Sequence, residues 1–211
     1  MANCIEPCYS EKIMTANGGF VTNGTEKPNS TINCLINQEP HVVVGINIRD
    51  LHGRHLLQRK SIKPLEDQMM LSVASIGHVE HCDDLVGEPL DNFLTLDYLK
   101  EAIIAQTRQE LGDRLLHYFR LESSKLKAPD IRYDQELDEH SMNHITALFN
   151  WTVSTLHDNI IQLLFTPTEE VDAIRVLDRE ELNKLTKDSK ERDERVIVYP
   201  PIKQLIKQWL L

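Results

Sequence analysis

Apolar residues alternate with other positions in the β-branched run HVVVGINI, residues 41–48, and that pattern predicts a strand. RDLHGR follows as a turn with Gly53 at its end, and HLLQRKS reads as a second strand, so the two form a hairpin. MMLSVASIGHVE is a further short apolar run, broken at Gly77. A polar, acidic loop, HCDDLVGEPLDNFLT, leads into LDYLKEAIIAQTRQELG, where Leu, Ala and Ile recur at helical spacing. Asp97 near its start and Gly112 just past its end are helix boundary signals.

Beyond the helix, LLHYFRLESS reads as a strand and KAPDIRYDQELDEH as a polar loop. HITALFNWTVS and NIIQLLFT are strand-like apolar runs. TEEVDAIRVLDREELNKLTK predicts a short strand and then a helix with Asp178 at its N-cap. SKERDER is a charge run of solvated surface, and PPIKQLIKQWLL reads as an amphipathic helix opened by proline. The order of elements is that of a mixed α+β domain rather than alternating βαβ units. Residues 1–37 are polar, carry NGG, NGT and KPNS breakers and lack periodicity; they read as a flexible arm, with the folded domain at 38–211. Such an arm is long enough to reach across a homodimer.

Composition narrows the function. At 41% hydrophobic and 27% charged, the 211-residue chain matches a soluble globular protein. No apolar run approaches the ~20 residues of a membrane helix, and the start lacks a basic, apolar leader, so a cytoplasmic location is expected. The net charge of −10 argues against broad nucleic-acid binding, although a local basic pocket for a phosphate is compatible with it. The four cysteines form no CxxC pair and read as reduced thiols.

GRHLLQRKS, SIGHVE, the helix ending RQELG and EEVDAIRVLDREELNKL occur in an order that resembles the Nudix superfamily. The resemblance implies a Nudix-type α/β/α sandwich with a mixed β-sheet. It also implies a helix whose glutamates, three and four residues apart on one face, hold Mg²⁺ or Mn²⁺ against a diphosphate. Here Glu110 matches the last of those glutamates. Gln106 and Gln109 stand at the other two face positions, Ala105 at the arginine position, and Asp83 follows Gly77 where a glutamate is expected. Glutamine keeps the shape and lacks the charge. A carboxylate near a helix C-terminus also opposes the helix dipole, which a metal, Arg108, Arg114 or Lys100 would offset.

Within the superfamily the isopentenyl-diphosphate isomerase-like branch is the closer likeness. It implies His41, His78, Glu110 and Glu139 as metal ligands, Glu110 and Glu139 as catalytic groups, and Cys34 where a first histidine is expected. Ile76 replaces the proton-handling cysteine of that branch, Ser141 the second glutamate, and Arg175 a tryptophan. Arg59 and Lys60, with His78, Gln106 and Gln109, are the expected contacts to a diphosphate-containing small molecule. Three readings follow. One is a Nudix hydrolase-like protein with a degraded metal-assisted site, which acidic residues Glu80, Asp83, Asp84 or Glu88 could complete. The second is a non-catalytic Nudix module binding a nucleotide or a protein partner. The third is a divergent isomerase.

Overall fold

In the computed structural model, residues 5–8, 13–14, 20–21, 27–30, 41–60, 70–79, 96–134, 144–188 and 197–198 are described. The expected C-terminal helix, the acidic loop after residue 80 and the SKERDER run lie outside them. The chain divides into two units: Met1–Gly45, Gly77–Ile103 and Leu126–Phe149 in one, and Ile46–Ile76, Ile104–Lys125 and Asn150–Leu211 in the other.

Twelve strands and four α-helices are present among the described residues. The strands are β1 (Ile5–Cys8), β2 (Ile13–Met14), β3 (Phe20–Val21), β4 (Lys27–Ser30), β5 (His41–Asp50), β6 (His55–Lys60), β7 (Met70–Val73), β8 (Ser75–His78), β9 (Asp130–Asp134), β10 (His144–Val153), β11 (Val171–Leu177) and β12 (Ile197–Val198). The helices are α1 (Leu96–Leu111), α2 (Asp113–Phe119), α3 (Asp158–Leu164) and α4 (Arg179–Asp188).

In the first unit β1 lies antiparallel to β4, and Cys8 stands opposite His41, the first residue of β5. Strand structure thus exists within residues 1–37. β9 pairs antiparallel with the first half of β10, from His144 opposite Asp134 to Leu148 opposite Asp130. The polar stretch KAPDIRYD therefore contains a strand, because its partner supplies the ladder bonds that its composition does not advertise.

The second unit is organised on β6. One edge of β6 carries β11 antiparallel, from Val171 opposite Lys60 to Leu177 opposite His55. Its other edge is shared: Leu56 faces Ile48 of β5, while Leu57, Gln58 and Arg59 face Val73, Ser72 and Leu71 of β7. β12 adds parallel to β7, which makes the pairing mixed. Because β6 is covered on both faces, His55, Leu56, Leu57 and Gln58 are all buried and the usual in–out alternation is lost. Leu56, Leu57, Val73, Leu115, Phe119, Leu156 and Ile174 belong to this unit's core.

The β5–β6 hairpin is held by one carboxylate. Asp50 Oδ1 accepts the backbone N–H of His52 at 2.9 Å and of Arg54 at 3.0 Å. Its Oδ2 accepts Arg54 Nε at 2.9 Å and the backbone N–H of Leu156 at 3.0 Å. Gly53 has φ +77°, a left-handed conformation that glycine adopts without cost, and it closes the turn on Asp50 O. Burial alone would push the Asp50 carboxyl up. The bonds from Leu156, Arg54 N–H and the Arg54 guanidinium outweigh it and hold the group below the ordinary aspartate value.

Three expected elements differ from what forms. LLHYF is helix α2, not a strand: Leu115, Leu116 and Phe119 are its buried residues, a one-and-four spacing that suits a helix. Arg120, in the left-handed region at φ 51°, ends it, with Leu121 N bonding back to Leu116 O at 3.0 Å. NIIQLL is helix α3, with only Ile161 buried. Short apolar runs fit either period, and length and packing decide between them. The MMLSVASIGH run breaks into two strands at Ala74, with Gly77 inside β8. Two expected helix boundaries match: α1 stops before Gly112 at φ +82°, and α4 opens on a capping box in which Asp178 Oδ1 accepts Glu181 N at 2.9 Å while Glu181 accepts Asp178 N at 2.8 Å.

Asp50→Ala is expected to lower stability by about 3 kcal/mol or more, since it removes the acceptor of three backbone N–H groups, that of Leu156 buried, and of a guanidinium. Urea unfolding of the full chain at neutral pH measures this. A loss below about 1 kcal/mol would mean that the hairpin is held by something other than this carboxylate.

Candidate functional site

Helix α1 buries Leu99, Ile103, Thr107, Glu110 and Leu111, a stripe at three- and four-residue spacing that ends on a carboxylate. Glu110 is fully buried, at 0% exposure. A lone charge there would be very costly, so its partners decide what the site can do.

The partners come from β6 and β8. Period-two geometry puts Gln58 and Lys60 on one face of β6. Gln58 Nε2 reaches Glu110 Oε1 at 3.3 Å, and the Lys60 ammonium binds the same oxygen as a salt bridge. The break at Ala74 turns β8 so that Ser75 Oγ and the backbone N–H of Ile76, the latter at 3.0 Å, donate to Oε2. Lys60 Nζ also donates to Ile76 O at 3.0 Å. An ionised carboxylate offers about four acceptor positions, and four donors fill them here.

The cation that offsets the helix dipole at Glu110 is therefore Lys60. The expected alternatives are engaged elsewhere or exposed: Arg108 pairs with Asp113 at 2.8 Å, Lys100 lies 3.6 Å from Asp97, and Arg114 is exposed. Arg59 points its guanidinium at Asp172, with Nε 2.6 Å from Oδ1. Asp172 sits in a register shift between Val171 and Ala173, and such an irregularity re-aims a side chain. Gln106 is half-buried; Gln109 is exposed and donates to Glu170 at 3.0 Å.

Of the other expected site residues, His41 opens β5 and His78 closes β8, and their side chains lie outside the described set. Cys34, Glu80, Cys82, Asp83, Asp84, Glu88, Glu139 and Ser141 also lie outside the described residues. Ile76 contributes its backbone N–H and carbonyl, and Arg175 is exposed on β11. Gln58 and Ser75, two of the groups that hold Glu110, had no place in the sequence-based site. Gln58 was detectable, as a polar residue two positions from Lys60 in an otherwise apolar strand.

The donor set at Glu110 does not fit a divalent metal. Mg²⁺ demands about six oxygen ligands, and Mn²⁺ likewise suits octahedral oxygen sites. The one carboxylate here is occupied by donors, its helix-face neighbours are neutral amides, and an ammonium already stands beside it. Among the described residues no group of three or more His, Cys, Asp or Glu could hold a metal.

Comparison with solved structures gives the architecture a name. A Nudix hydrolase from Alicyclobacillus acidocaldarius superposes with a TM-score of 0.53 at 11% identity, over 80% of this chain and 90% of that one. The fold is that of the Nudix hydrolases. Weaker superpositions include a Nudix hydrolase from Nitrosomonas europaea, at TM-score 0.48, 14% identity and 81% and 88% coverage. Another is a bifunctional NMN adenylyltransferase/ADP ribose pyrophosphatase from Francisella tularensis, at TM-score 0.49, 12% identity and 84% and 47% coverage. No protein-family model and no curated protein matches the sequence. The Nudix α+β sandwich with a mixed sheet is thus the architecture on which Glu110 sits, and no helix among the described residues is long and apolar enough to cross a membrane.

A second concave region lies at the opposite end of β6, about 16 Å along the strand from Lys60 at about 3.3 Å per residue. It encloses about 680 Å³ and is lined by Arg49, His52, His55, Thr152 and Arg179 among others. His55 Nδ1 lies 3.0 Å from Asn47 Oδ1, and Asn47 Nδ2 donates to Asn150 Oδ1 at 3.0 Å. Asn47 thus presents its carbonyl to the ring, which assigns the proton to Nδ1. Burial pushes His55 down to about 4, with the Arg49 charge adding to the effect and Asp50 opposing it.

That shift fixes a pH dependence. His55 takes up a proton near pH 6.5 when unfolded and near 4 when folded, so the unfolded state binds more protons between these values. Stability is expected to fall as pH drops from about 6.5 towards 4, by at most about 3 kcal/mol, and to be unaffected by this group above 7. Asp50 adds its own loss at still lower pH, as its carboxyl protonates. Chemical unfolding at pH 7.5, 6, 5 and 4, with His55→Gln as the control that flattens the upper slope, checks the assignment; identical slopes in both proteins would remove it.

Proposed function

We propose that this chain is a Nudix-fold module that binds a diphosphate-linked small molecule, with its box helix kept as structure instead of as a metal-dependent hydrolytic centre. The observation that carries this reading is Glu110: the one box carboxylate retained on α1 is buried and has its acceptor positions filled by Lys60, Gln58, Ser75 and Ile76. A carboxylate so engaged has no lone pair left to polarise a diphosphate through a metal or to ready a water. Gln106 and Gln109 support the same reading, since amides contribute hydrogen bonds and no charge.

What remains can bind. Arg59, next to Lys60 in sequence and on the other face of β6, is 36% exposed; Asp172 engages its Nε, and its terminal N–H groups would offer donors suited to phosphate oxygens. Such a site would hold an anion by hydrogen bonds and one guanidinium, with no requirement for Mg²⁺ or Mn²⁺. Residues 1–37 would then serve as an attached arm.

Release of phosphate or nucleotide from a panel of diphosphate compounds, with Mg²⁺ and with Mn²⁺, is expected to stay at background for wild type and for Glu110→Gln. Binding of ADP or inorganic diphosphate, followed by calorimetry, is expected to survive EDTA and to weaken about tenfold, or about 1.4 kcal/mol, in Arg59→Ala. Metal-dependent turnover that disappears in Glu110→Gln would instead identify a hydrolase.

A further inference from the structure

We infer that the concave region at the hairpin end of β6 is a binding site for a small organic anion, with the Arg49 guanidinium holding its phosphate or carboxylate group. All of its lining belongs to the second unit: the end of β5 and the turn after it, His55, Thr152 of β10 and the start of α4. Its volume, about 680 Å³, falls within the ~300–1,000 Å³ of small-molecule pockets and exceeds what a bare oxyanion needs. Leu51 in the turn and Leu182 on α4 give it apolar wall for the remainder of such a ligand.

Charge counting selects an anion. The carboxylates that line the cavity are Asp50, Asp178 and Glu180, and each is already engaged. Asp50 accepts the backbone N–H groups of His52, Arg54 and Leu156 and the Arg54 guanidinium. Asp178 Oδ1 accepts the N–H of Glu181 at 2.9 Å, and Glu180 pairs with Lys184 at 2.8 Å. The cations are less well matched. Arg49 is exposed on β5 and makes no ion pair among the described residues. Arg179 stands at the first helical position of α4, where a positive charge opposes the helix dipole, so helix chemistry alone does not account for it. A guanidinium presents a planar fork of N–H donors that suits a phosphate or carboxylate group.

His55 gives a second sign of the same field. It stands directly opposite Arg49 in the β5–β6 pair and lines the cavity, and the hydrogen bonds through Asn47 to Asn150 fix its ring. The Arg49 charge opposes protonation of that ring more strongly than Asp50 favours it. The other charged or titratable groups around the cavity are His52 in the turn, Asp178, Arg179 and Glu180 on α4, and Arg54 as the partner of Asp50. An anion bound to Arg49 offsets its charge, so the ligand and a protonated His55 favour each other. The site does not involve Arg59, and the failure of either reading leaves the other standing.

The test uses the full chain, with sodium phosphate and sodium citrate as probes at constant ionic strength. The His55 ring is followed by NMR from neutral pH down to about 4. Saturating anion is expected to raise its titration midpoint from about 4 to about 5 or above. In Arg49→Ala the midpoint is expected to start higher, and about tenfold more anion to be needed to move it. Arg59→Ala is expected to respond as wild type does. The anion that acts at the lower concentration tells a phosphate ligand from a carboxylate one. A His55 midpoint that neither anion moves would overturn the inference, and this wild-type titration decides by itself should Arg49→Ala not fold. A response that Arg49→Ala leaves unchanged, or that Arg59→Ala abolishes, would overturn it equally.

Discussion

A carboxylate with no exposed surface must have a counter-charge, and in this protein Glu110 finds it in Lys60. Much of the second unit's arrangement follows from that pairing. β6 has to present its polar residues, Gln58 and Lys60, on the face turned to the last turn of α1. The β7–β8 connection has to bend at Ala74 for Ser75 and Ile76 to reach the other carboxylate oxygen. Two segments, β6 and the start of β8, are thereby tied to one helix end. The ionic bond does not by itself add large net stability, because desolvation offsets most of the Coulomb gain. What it fixes is register: a slip of one residue in β6 would turn Gln58 and Lys60 away and leave Glu110 buried alone.

The hairpin at the other end of β6 follows the same logic at smaller scale. Asp50 is almost fully buried, and it binds the turn it closes, the Arg54 guanidinium and the backbone of Leu156 a hundred residues on. Both carboxylates hold a local turn or helix end to a distant strand or segment. They differ in their donors. Asp50 draws mainly on backbone N–H groups, while Glu110 relies on side chains from a neighbouring strand and bend.

Much of this was legible in the sequence where one period dominates. HVVVGINI and HLLQRK announced a hairpin, Gly112 announced the end of α1, and Asp178 announced the N-cap of α4; each depends on local chemistry, and each formed as read. LLHYF and NIIQLL were misread as strands because five or six apolar residues satisfy both periods until packing chooses. The candidate site divided along the same line. Glu110 stood out because it ends a helix-face motif. Lys60 drew notice as a basic residue beside Arg59, but its role as the partner of Glu110 depends on a separation of fifty residues that no local pattern encodes. Ser75 was hidden inside an apolar run.

Charge counting connects the glutamines of α1 to Lys60. A helix face with three carboxylates carries enough negative charge to need a divalent ion, and one lysine would leave it unbalanced. With Gln106 and Gln109 in place, the face carries a single buried charge, which a single ammonium balances. Glutamate placed at 106 or 109 alone would not make a metal site, because Lys60 would still hold Glu110. Removing Lys60 alone would leave one carboxylate for the ion. The neutral amides and the lysine are thus consistent with each other as a set, since neither amide adds a charge that the one ammonium would have to balance.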